Sequence, residues 1–244
     1  MLKVSASVLA GAAVLGPEAF AKTAQARSSA SRKVLVIGGH PDDPETACGG
    51  TMAVLKDAGY DVVAVYLTKG ESGIKGKTHE EAAAIRTEEA RNACKILGVR
   101  PVFLNQIDGY TELDVERYKE MRDFIESENP DIVFTHWPVD LHRDHRVCAN
   151  LVLESWKRLK YKFDLFFFET MTGGQTQLFH PTDYVDITSV ADKKLEACMC
   201  HRSQGMEDVY GGWHHQMEQF RGIEFHCKRA EAFVHLRRNN SDII

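Results

Sequence analysis

Short apolar runs alternate along the chain with longer stretches that are apolar on one side only. Residues 33–37, 61–67, 102–104, 132–135 and 165–168 are short runs dominated by Val, Ile, Leu and Phe. They lack the polar alternation of a sheet with one wet face, so they read as strands covered on both sides. Between them, residues 46–58, 79–97, 114–128 and 144–159 carry apolar side chains at helical spacing. Gly59 and Gly98 follow the first two of these helices as stop signals, and Pro130 ends the third. No internal repeat interrupts the alternation.

Strand and helix in turn predict an α/β fold, a Rossmann-like doubly wound and mostly parallel sheet with helices on both faces. Right-handed crossovers favour a strand order of about 3-2-1-4-5. Strands one and four are then neighbours, the winding reverses between them, and ligands bind at their carboxyl ends. The loops after those two strands should therefore carry the chemistry. The first reads "GGHPDDPE" and holds His40, Asp42 and Asp43. The second, "THWPVDLHRDHR", holds His136, Asp140, His142, Asp144 and His145.

The chain has 244 residues, 43% of them hydrophobic and 27% charged, which suits one α/β domain over residues 33–244. A net charge of −5 and the lack of a long basic run argue against a nucleic-acid partner. The small cluster Lys157–Lys162 reads as a solvated helix end. Residues 1–26 have the layout of a secretion signal: Lys3, an apolar stretch Val4–Gly16 too short to span a bilayer, then the small-x-small sites Ala19-Phe20-Ala21 and Ala24-Gln25-Ala26. Residues 27–32 read as linker. The expectation is an exported, periplasmic or secreted protein with no membrane span once mature. The alternative is an N-terminal helix packed on a cytoplasmic domain. Six cysteines match no four-cysteine zinc spacing. Cys94 and Cys148 fall on apolar helix faces and read as buried thiols, and Cys198-Met199-Cys200 is a redox candidate only in an exported protein.

Histidine nitrogen with carboxylate oxygen is a borderline-hard donor set suited to zinc, with Fe2+ or another divalent ion compatible. Two histidines and one aspartate leave a coordination position open, as catalytic metal sites do. Surplus carboxylates can then accept a proton or orient a histidine through its second ring nitrogen. Taken alone, each cluster is weak, and Asp144 reads equally well as a helix cap. Their joint position at the switch point gives them weight. A nucleotide-binding turn is disfavoured, because no G-x-G-x-x-G is present and His-Pro-Asp-Asp would set negative charge where a pyrophosphate belongs. A metal-dependent binding module without catalysis explains the ligands but leaves Asp42 and His142 idle.

These residues resemble the LmbE-like or PIG-L-like de-N-acetylases, zinc-dependent amidases acting on N-acetylglucosamine-type substrates. The first family motif stands here as His40-Pro41-Asp42-Asp43-Pro44-Glu45 followed by Gly49-Gly50, and the second as His142-Arg143-Asp144-His145. "HRSQ" at 201–204 is similar to a third family feature and "EAFVHLR" at 231–237 to the last strand, so the resemblance runs from Lys33 to Arg237. It implies zinc ligands at His40, Asp43 and His145, a general base at Asp42, His142 at the oxyanion or leaving group, and Asp144 in support of a histidine. Substrate contacts are expected at Arg86, Trp137 and Asp140, with Trp213, His214 and His215 as further candidates for the cleft wall. Arg86 reads alternatively as a solvated pair with Glu89. In many members Glu directly follows the two aspartates. Here Pro44 intervenes, which leaves Glu45 with no expected task beyond charging the helix N-terminus. His79, His180 and His235 stay unassigned. The activity implied is zinc-dependent hydrolysis of an N-acetyl group from a small or glycoconjugate sugar substrate. The alternative is a zinc-binding carbohydrate-recognition protein without turnover.

Overall fold

A computed structural model describes residues 32–237; the expected signal and all but the last residue of the expected linker lie outside the described residues. Strand β1 (Lys33–Gly38) leads into helix α1 (Asp43–Asp57), β2 (Asp61–Thr68) into α2 (His79–Leu97), and β3 (Arg100–Gln106) into α3 (Val115–Glu128). Strand β4 (Ile132–His136) leads into α4 (Arg143–Arg158), followed by β5 (Asp164–Phe168) and β6 (Asp183–Asp186). Helices α5 (Ala191–Cys198), α6 (Met206–Val209) and α7 (His215–Phe225) precede the final strand β7 (Ala230–Leu236).

The sheet order is β3-β2-β1-β4-β5-β7-β6. Its first five strands are parallel and in the expected order, with β1 paired to β2 on one side and β4 on the other. The sheet then extends beyond that expectation, because β7 pairs antiparallel with β5 and β6 antiparallel with β7. The period of two along β1 divides the core. Val34 and Val36 join Ala64, Tyr66 and Phe134 under α1, α2 and α5, whereas Leu35 and Ile37 join Val63 and Val65 under α3 and α4.

Local signals set the helix ends. Thr78 and Glu81 form a reciprocal capping box on α2, and Gly98 closes it with φ 74°. Asp114 accepts from the Arg117 N–H, and Asn129 ends α3 in the left-handed region before Pro130. Helix α1 starts at Asp43, ahead of the expected residue 46, because Pro44 is suited to a first helical turn. Strand β3 is also longer than the expected 102–104.

The glycine pair of the first motif serves packing. A Cβ on Gly49 would come within 2.9 Å of the Lys194 Cγ, and one on Gly50 within 2.5 Å of the Ile187 Cγ2. The close approach lets the Glu231 carboxylate accept from the Gly50 and Thr51 N–H groups at 2.9 and 2.7 Å. Glu231 also pairs with Lys194 at 2.7 Å, and Lys194 pairs with Glu218 at 2.8 Å. Burial opposes the Lys194 cation, but these two glutamates outweigh it and hold its pKa well above the usual lysine value. The buried charges tie α1 to α5, α7 and β7. Gly50→Ala should overpack this junction and cost about 1–3 kcal/mol. Thermal unfolding checks it, and an unchanged Tm would refute the packing argument.

Candidate active site

The two loops meet where the topology requires. At the end of β1 the chain turns sharply, and Asp42 adopts φ 125°, a region that non-glycine residues avoid. Its surroundings over-determine it. The Asp42 carbonyl accepts from Thr46 N–H at 2.9 Å. The Arg86 guanidinium donates to the Pro41 carbonyl at 2.6 Å and lies 3.3 Å from the Asp42 carboxylate. Arg86 is itself wrapped by the 70–73 loop, where a Cβ on Gly70 or Gly73 would fall within 2.6 or 2.2 Å of the guanidinium. Arg86 is therefore a buried site residue. Its alternative partner Glu89 is taken by the N–H and hydroxyl of Ser203.

Asp43 lies between the two loops. Its carboxylate accepts from the His40 N–H at 2.7 Å, and its oxygens lie 3.3 Å from His40 Nδ1 and 3.4 Å from His145 Nε2. Each imidazole is fixed from behind. His40 Nε2 lies 3.2 Å from Asp108 and 3.3 Å from Asp144, and His145 Nδ1 lies 3.2 Å from Asp140. Such carboxylates select the tautomer and aim the other ring nitrogen. Burial works against a cation at His40, but Asp108, Asp144 and Asp43 together raise its pKa well above the imidazole value. Burial likewise opposes charge at His145, yet Asp43 and Asp140 lift it to about 9.

His136 is the third imidazole of the cluster. It stacks on His145 with ring centroids 3.9 Å apart. Its Nε2 accepts the Gly39 N–H at 2.9 Å. Burial, reinforced by the neighbouring His145, pushes its pKa down to about 4.

Three groups of donor atoms lie within 4.8 Å of one another: His40, His142 and His145; Asp43, His136 and His145; and His40, Asp108 and Asp144. The hydrogen bonds distinguish them. The His136 Nε2 lone pair is engaged by Gly39, and Asp108 and Asp144 are engaged behind His40. His40, Asp43, His142 and His145 line a cleft of about 440 Å³. This open set of nitrogen and oxygen donors suits a divalent ion.

His142 caps α4, its Nδ1 accepting the Asp144 N–H at 3.3 Å, and its ring meets His40 edge-on at 4.7 Å. Burial, then the His40 and His145 charges, lower its pKa. Asp144 does not cap the helix. Its carboxylate accepts from the Thr111 hydroxyl at 2.6 Å and the Gly109 N–H at 2.7 Å, besides facing His40. Burial raises the Asp42 pKa against the opposing pull of Arg86.

Several expected contacts fall elsewhere. Trp137 does not line the cleft: it packs edge-on to Phe167 and Phe179 and donates its indole N–H to the Gln177 carbonyl at 3.0 Å. Asp140 is no substrate contact either. It is buried and engaged by His145, by the Thr176 hydroxyl at 2.9 Å and by the His142 N–H at 2.8 Å. Glu45 turns inward, accepting the Tyr66 hydroxyl and facing His201 at 3.5 Å, so it packs with the core side of α1. Trp213 lies over Gly174, His215 stays outside the cleft, and His214 lines it. Cys198 and Cys200 are free thiols facing the Glu45 and Glu196 carbonyls. Asp108 and Thr111 were not singled out by the sequence. The one available signal was their place in the loop after a parallel strand.

The sequence and the fold are similar to known proteins. The family model described as GlcNAc-PI de-N-acetylase, PIG-L, matches residues 35–156. Diacetylchitobiose deacetylase of Thermococcus kodakarensis is 34% identical over 197 residues, covering 75% of this chain and 73% of that protein. The solved structure of N,N'-diacetylchitobiose deacetylase from Pyrococcus horikoshii, in complex with its inhibitor, superposes with a TM-score of 0.75 at 25% identity, covering 97% of this chain and 100% of that one.

If Asp140 acts by aiming His145, Asp140→Asn should weaken divalent-metal affinity roughly 10- to 100-fold with the fold intact. Competition against a chelator measures this, and unaltered affinity would remove Asp140 from that task.

Proposed function

The chain belongs to the PIG-L family of de-N-acetylases, and on that premise we propose that it hydrolyses the acetamide of an N-acetylglucosamine-type sugar or glycoconjugate with zinc held by His40, Asp43 and His145. One observation carries this reading: the Asp43 carboxylate meets imidazoles from both sides of the switch point, and of these His40 and His145 have their other ring nitrogen backed by carboxylates. When bound there, a zinc ion supplies Lewis acidity toward the amide carbonyl and makes water more acidic.

The protein groups divide the rest of the work. Asp42 takes the proton of the attacking water, its carboxylate held at the cleft by Arg86. Arg86 holds the strained turn that presents Asp42, and it reaches the cleft where a sugar hydroxyl would lie. His142, at the cleft margin, donates a hydrogen bond through Nε2–H to the developing oxyanion or the departing amine, and the proton taken up by Asp42 passes to that amine. Asp144 and Asp108 keep His40 in the tautomer whose Nδ1 faces Asp43.

Acetate release from a panel of N-acetyl sugars by the zinc-replete protein tests the activity. Binding without release would favour a carbohydrate-recognition role. Asp42→Asn should keep the metal and lose on the order of 10²- to 10⁴-fold in kcat, the usual worth of a positioned base. Rate and metal content measured on one preparation check this, and near-normal turnover with full metal would exclude Asp42 as the base.

The signal over residues 1–26 extends the proposal to an exported enzyme. Protein recovered from its own host should start near Lys22 or Arg27 by mass spectrometry. An intact Met1 would overturn the export proposal.

A further inference from the structure

One buried side chain in the cleft has no task in the mechanism above. His214 ends a π-helical turn, Tyr210–His214, inserted between α6 and α7. Such turns shift the residues they carry out of α-helical register and recur at functional sites. His214 is 4% exposed, and among the described residues no group hydrogen-bonds its ring. It lines the cleft together with His40, Asp42 and His142. On its other side it borders a small inner cavity walled by Lys194, Glu218, Arg221 and Glu231.

The inner wall offers the ring little. Lys194 is held by Glu218 and Glu231, and Arg221 forms a two-pronged pair with Glu169 at 2.7 Å for both bonds. Burial, and then the Lys194 cation, push the His214 pKa down to about 4. The ring is therefore neutral near pH 7, with one donor and one acceptor nitrogen. Its ring nitrogens are not among the sealed atoms that lack a partner, so they stay open to solvent, and the cleft that the ring lines is where it finds a partner. The acetamide end of a substrate is already engaged at His40, Asp42, Asp43, His142 and His145. What remains for His214 is the hydroxyl-bearing body of the sugar.

We propose that His214 hydrogen-bonds a ring hydroxyl of the sugar and so selects an acetamidosugar over a simple acetamide. The inference rests on reading the cleft as an acetamidosugar site. A neutral imidazole both donates to and accepts from a hydroxyl, which a charged group in its place could not do. The Lys194 network behind the ring keeps it uncharged.

The test compares wild type, His214→Phe and His214→Gln in zinc-replete form. Two readouts are taken: kcat/KM for acetate release from N-acetylglucosamine and from the acyclic, hydroxyl-free N-ethylacetamide, and the calorimetric Kd for N-acetylglucosamine. His214→Phe should lose about 10- to 100-fold in affinity and kcat/KM for the sugar, keep its metal, and leave the acyclic substrate unaffected. His214→Gln, which retains a donor and an acceptor, should recover part of the loss. Equal losses on both substrates, or sugar affinity unchanged in His214→Phe, would overturn the proposal. Sugar binding that weakens in His214→Phe while wild type releases no acetate would uphold His214 and refute the hydrolytic reading.

Discussion

Everything at the cleft depends on one rule of its frame: His40, His136 and His145 each have both ring nitrogens engaged. His40 and His145 meet the rule in the same way, with one nitrogen toward Asp43 and the other toward a carboxylate behind. His136 meets it through the Gly39 N–H on one nitrogen and the Thr170 hydroxyl, 3.4 Å away, on the other. The result is a rigid frame in which ligand-type atoms are already aimed, so little reorganisation is needed when a cation arrives. The same rule explains why so many acidic residues crowd a single cleft. Each of Asp108, Asp140 and Asp144 has a ring or a backbone donor to hold.

The frame is obtained at the cost of backbone strain. Asp42 sits at φ 125°, of order 1–3 kcal/mol unfavourable for a residue with a Cβ. Arg86 is the brace, and Gly70 and Gly73 are small because the brace passes over them. The sequence stretch "KGESG" thus belongs to the active site without touching the reaction. Strain, brace and loop form one unit, which fixes the Asp42 carboxylate at the cleft.

Much of this was legible from residue order. Near-continuous apolar runs fixed the five parallel strands, and the switch-point rule selected the correct two loops. The antiparallel extension was not legible, since Asp183–Asp186 is short and half polar, and its pairing with β7 is nonlocal. Trp137 and Asp140 misled because sequence proximity to a motif says nothing about which way a side chain turns. At the end of β4 and in the loop that follows, successive residues point in different directions, so Trp137 turned toward Phe167 and Phe179 while His136 turned toward His145. Asp108 was missed because its loop carries no motif, and only the fold brings it behind His40.

The position of β7 has a consequence for how the molecule comes into being. It is the last strand among the described residues, yet it sits inside the sheet, between β5 and β6. From there Glu231 holds the Gly50 and Thr51 amides of α1, the helix whose first residue is Asp43. During synthesis, the turn that carries His40, Asp42 and Asp43 is therefore fastened through α1 only once β7 has been made and inserted. A chain truncated a few residues before residue 231 would keep His40, Asp43, His142 and His145 and still lack the anchor for them.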